Sequence, residues 1–282
     1  MPTPPSEDKD ILPILDRLEA GVPEHLSVSD RCKLIQRISA SALTRASKQK
    51  LTIDSFTRED QALAGLLASI PYSGRWIEFC HDRASHLAET MHGEMPALAL
   101  QRNWPEWNAA RRMDFLQAIA RHQIRLFTHD GLSFTLPKIV IDNTPPSIHG
   151  SFNAGAWALS TRVNDRVVNV SRQHFDENPP LSLAQTIWHE HIHSLCQQFA
   201  AACDSKAMSP FNPFVQDAEI MRQRRLYHAY AGSFFEAAYN ADPEENLAFS
   251  TQHAFADSWT DRASLTSKLA HRAAKFWQNF RA

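Results

Sequence analysis

The stretch Trp188-His189-Glu190-His191-Ile192-His193 constrains this chain more than any other. It sets two histidines four positions apart, with a glutamate directly after the first. On an α-helix, residues four apart stand on one face, and their side chains are near enough to bind a single ion. Glu190 is displaced by about 100° around the axis from His189, so it reaches a water beside such an ion without ligating the ion itself. His191 lies about 200° from either flanking histidine and cannot join the same ion. It reads as a packed or solvated neighbour. A fold that uses these residues must keep them on one continuous helix and bring a further ligand to it.

The local sequence supplies the helix. Ser182-Leu183-Ala184-Gln185 has the Ser-x-x-Gln form of a capping box just after Asn178-Pro179-Pro180, which predicts a helix running to about Ala202. Catalytic zinc takes three protein ligands and keeps a fourth position open. Extension of the motif to H-E-x-x-H-x-x-G-x-x-H fails, because Cys196 and Phe199 stand where Gly and His are needed. The third ligand must therefore come from another helix. Asp242-Pro243-Glu244-Glu245 reads as an N-cap, a proline at the first helical position and two acids in the first turn. Glu245 leads the candidates, since the small Ala248 permits close approach. Glu244 competes with it, and Glu236 and Glu219 are weaker because each sits within a helix without a distinctive setting. Acids at a helix start are also favoured by the helix dipole alone.

The remaining pattern describes an α+β chain that is mainly helical. Residues 1–10 are polar, Pro-rich and expected to be disordered. From 11 to 100 apolar residues recur at helical spacing, giving an expected helical N-terminal region ahead of a second part spanning 101–282. Short β-branched runs at 134–143 and 167–171, with a further strand in 150–160, interrupt the helices. Either 165–172 or 156–160 would serve as an edge strand that pairs with a substrate backbone. Trp76, Trp104 and Trp107 read as core packing, and the arginine-rich run 221–230 as a solvated helix face. The four cysteines form no C-x-x-C pair and read as small apolar packing residues.

A formal net charge of −2 gives no electrostatic case for nucleic acid as a partner. No apolar run approaches the roughly 18 residues of a membrane span. The N-terminus lacks a basic n-region and an apolar core, so synthesis in the cytosol without a Sec signal is expected, with export by a specialised secretion system left open.

The pair formed by His189-Glu190-His191-Ile192-His193 and Tyr239-Asn240-Ala241-Asp242-Pro243-Glu244-Glu245-Asn246-Leu247-Ala248 resembles gluzincin metallopeptidases of the anthrax-lethal-factor-like kind. It resembles more loosely the metallopeptidase domains of bacterial secretion-system effectors. The resemblance implies a zincin-like fold with a small mixed sheet and a motif helix. It also implies one zinc ion on His189, His193 and Glu245, Glu190 as the catalytic base, and Tyr239 near the tyrosine that supports the oxyanion. Where the family often carries an acid after the alanine, this chain has Phe249. The activity implied is zinc-dependent hydrolysis of peptide bonds in a protein or peptide substrate, as in a secreted effector or toxin. Two alternatives stand beside it: a non-catalytic interaction protein with a structural metal site, and a zinc hydrolase acting on cell-wall peptides.

Overall fold

Apolar residues at helical spacing organise the first third of the chain into helices. The computed structural model describes residues 11–48, 53–128, 132, 134–142, 150–153, 167–227 and 235–260. Helix α1 (Leu12–Glu19) carries Pro13 in its first turn, where a missing N–H costs nothing. The chain leaves α1 through Gly21 at φ 112°, a backbone conformation open to glycine. There follow α2 (Val28–Lys48), α3 (Thr57–Ala68), α4 (Gly74–Glu94), α5 (Ala97–Asn103) and α6 (Ala109–Phe127). Asn108 caps α6 by accepting a 2.9 Å bond from the backbone N–H of Arg111.

The β-branched runs form a three-stranded mixed sheet of order β1-β3-β2, from β1 (Lys138–Asp142), β2 (Gly150–Asn153) and β3 (Val167–Ser171). Strand β3 pairs in parallel with β1 and antiparallel with β2. It is therefore the central strand. The expectation that 165–172 forms a substrate-pairing edge is overturned, since both sides of β3 already carry ladder partners. The other stretch considered, 156–160, lies outside the described residues, as does the expected disordered segment 1–10. Val168 and Val170 of β3 are fully buried. Ser171 ends the strand and accepts a 3.0 Å bond from the backbone N–H of His174, which caps α7 (Arg172–Glu177).

Four helices complete the described chain: α8 (Pro180–Asp204), α9 (Val215–Tyr227), α10 (Glu236–Ala241) and α11, residues 243–260. Among the described residues no helix is long and apolar enough to cross a membrane.

The residues fall into two compact units. One unit takes the described residues up to Trp76 and those from Cys196 to Leu247; the other takes those from Ile77 to Leu195 and from Ala248 onward. In the first, Ile14, Leu15, Ile35, Ile38, Leu63 and Leu66 bury against Phe235 and Ala238. The Asp60 carboxylate accepts from the backbone N–H groups of Ala237 and Ala238 at 3.0 and 2.8 Å, tying α10 to α3. Trp76 packs edge-on against Phe199 and Phe214 in this unit. In the second, Trp104 and Trp107 pack with Phe115, and Phe127, Trp188, Phe255 and Trp259 are fully buried. All three tryptophans singled out in the sequence are core residues.

Candidate metal centre

Helix α8 carries the motif, and prolines set its start. Pro180 is its first residue, and the carbonyl of Pro179 accepts from the Leu183 N–H at 3.3 Å. A proline ring holds φ near the helical value and has no N–H to leave unpaired. Ser182 is therefore inside the first turn, and the capping box expected there does not form. Its carbonyl instead accepts from the Thr186 hydroxyl at 3.1 Å.

Trp188, His189 and their neighbours face α11. The Trp188 indole N–H donates to Thr251 Oγ1 at 2.9 Å, and its ring stacks on Phe255 with centroids 5.7 Å apart. His189 Nδ1 lies 3.1 Å from Gln252 Oε1, and the His189 ring meets Phe249 edge-on at 4.5 Å. These contacts use positions 249, 252 and 255, which recur at helical spacing along α11.

The start of α11 is built as its sequence reads. Asp242 Oδ1 accepts from the Glu244 N–H at 2.8 Å, and the Asp242 carbonyl accepts from Asn246 at 2.9 Å. The same carboxylate is ion-paired with Arg224 of α9, both side chains being nearly inaccessible to solvent. Arg224 also donates to the Tyr72 hydroxyl at 3.0 Å, and that hydroxyl donates to Glu244 Oε2 at 3.2 Å. The arginine-rich run is thus not wholly a solvated face. Arg224 is buried, and Arg222 bonds Glu219 at 2.7 Å through Nε.

These pairings sort the four acids. Glu244 is engaged by Tyr72. Hydrogen bonds from Arg222 hold the Glu219 carboxyl down at about 2. Glu236, the first residue of α10, is exposed. Glu245 is the one that joins the histidines: His189, His193 and Glu245 each offer a ligand atom, and these atoms all lie within 4.8 Å of one another. The Nε2 atoms of His189 and His193 are 3.2 Å apart. Two nitrogens bonded to one tetrahedral zinc at about 2.0–2.1 Å stand roughly 3.3 Å from each other. The imidazole pair fits that spacing. Two imidazoles and one carboxylate are also a donor set that zinc accepts.

Glu190 is buried on α8 beside His189. His191 is fully buried, and neither ring nitrogen has a hydrogen-bond partner among the described residues. Burial pushes its pKa down to about 3, so it is a neutral packed ring. Tyr239 is half-buried on α10. Sequence reading named Phe249 without its contact to His189, and missed Gln252 and Arg224 as residues that shape this centre. The spacing of 249 and 252 from Glu245 was a signal for the first two; no sequence signal marked Arg224. No family model, curated protein or solved structure matches the chain.

Proposed function

We propose that this chain is a zinc-dependent endopeptidase of the gluzincin type, with a zincin-like catalytic part in 101–282. His189, His193 and Glu245 hold the ion, and Glu190 is the general base. The observation that carries the reading is the 3.2 Å approach of the two Nε2 atoms with the Glu245 carboxylate alongside. The bound ion supplies a Lewis acid that acidifies water and polarises a carbonyl. Glu190 takes the proton from the attacking water and returns it to the leaving amine nitrogen. Tyr239 supports the developing oxyanion. A purely structural metal site has no use for a carboxylate at position 190.

The test combines elemental analysis of the full chain with cleavage of an unfolded protein and of peptidoglycan stem peptides. Wild type should carry about one equivalent of zinc, lost in His189→Ala and in Glu245→Ala. Glu190→Gln should keep the zinc and lose turnover by about 10²–10⁴-fold. A glutamine variant that cleaves at the wild-type rate would end the mechanism. Zinc bound by a wild type that cleaves nothing would return the reading to a non-catalytic interaction protein.

A further inference from the structure

The Gln252 side chain ends on a candidate ligand ring. Its Oε1 lies 3.1 Å from His189 Nδ1. An amide oxygen only accepts, so the Nδ1 that faces it carries the proton. In a neutral imidazole the lone pair then belongs to Nε2, the atom 3.2 Å from its counterpart on His193. Phe249, one turn earlier on α11, packs edge-on against the same ring at 4.5 Å. The amide thus selects the tautomer and the phenyl ring limits rotation about the Cβ–Cγ bond. Both belong to the helix that supplies Glu245, so one element sets the carboxylate and the orientation of an imidazole together.

We propose that Gln252 is a positioning residue for metal binding, holding His189 with Nε2 bare and aimed at the ion. The proposal rests on the zinc reading above. Gln252 is also uncharged. A carboxylate in its place would polarise the imidazole more strongly and make Nε2 the better donor, so affinity should rise on adding that charge.

The experiment is zinc affinity of the full chain by chelator competition, for wild type, Gln252→Leu and Gln252→Glu. It is accompanied by the visible spectrum of the cobalt-substituted proteins and by melting of the metal-free ones. Gln252→Leu should bind zinc about 10–100-fold more weakly and show altered cobalt bands, with metal-free melting unchanged. Gln252→Glu, nearly isosteric, should bind as tightly as wild type or tighter. Leucine-variant affinity equal to wild type overturns the proposal, as does a glutamate variant as weak as the leucine one. Should the leucine variant not fold, the glutamate variant alone decides: retained affinity supports the role and a tenfold loss removes it. If wild type binds no zinc, the function proposed above falls and this role falls with it. If wild type binds and the leucine variant binds equally, only the role of Gln252 is lost.

Discussion

His191 offers a perturbation whose size follows from its surroundings. The ring is fully buried with neither nitrogen bonded among the described residues, and its pKa falls from 6.5 to about 3. The unfolded chain takes up a proton there near pH 6.5 and the folded chain does not. Stability is therefore unpenalised above pH 6.5 and is lost as pH falls from there toward 3. At pH 5 the unfolded state gains about RT ln(1 + 10^1.5), which is about 2 kcal/mol, from this one group. His191→Leu removes the titration and a pair of unsatisfied buried nitrogens while roughly preserving volume. Urea unfolding of the metal-free protein, followed by circular dichroism at pH 7.5 and pH 5, measures the difference. Wild type should lose about 2 kcal/mol more than the variant between the two conditions, other histidines cancelling in the comparison. At pH 7.5 the variant should be at least as stable as wild type, since leaving a buried polar group unpaired costs about 1–3 kcal/mol. Equal acid sensitivity of the two proteins would refute the assignment of His191 as a neutral, sealed ring.

The buried Arg224–Asp242 pair predicts that Arg224→Leu leaves an uncompensated carboxylate and costs about 3–5 kcal/mol in urea unfolding. Asp242→Asn should cost less, because asparagine still caps α11. Trp188→Phe should lose roughly 2 kcal/mol, from the missing bond to Thr251 and the void left by the indole, measured the same way. Tyr239→Phe should lower turnover by about 10²-fold with zinc content unchanged; an unaltered rate would remove Tyr239 from the catalytic set.

What could be read from the sequence divides along the range of the interactions. The Asp242-Pro243 start of α11 was legible because a cap bonds within its own turn. The two histidines were legible for the same reason, their proximity being a property of helical pitch. Ser182 misled because two local signals competed and the pre-organised proline two residues earlier won. The placement of β3 was not legible, since whether a strand is central or at an edge depends on partners 29 residues before it, as Lys138 is for Val167. Arg224 looked like part of a solvated charge run, and only the fold brings Tyr72 and Asp242 to it. Helical geometry set His191 apart from the flanking histidines, yet its complete burial is a tertiary fact.

Two of the three candidate donors ride on a single helix, and the third arrives on another. Helical pitch fixes how far apart the two histidine side chains start, while Gln252 and Phe249 of α11 meet the ring of one of them. The reach of the carboxylate is set by packing around α11, at Phe249 and Asp242, and is open to adjustment by substitution. In the zinc reading proposed above, preference among ions of different radius would therefore be tuned chiefly from the second helix.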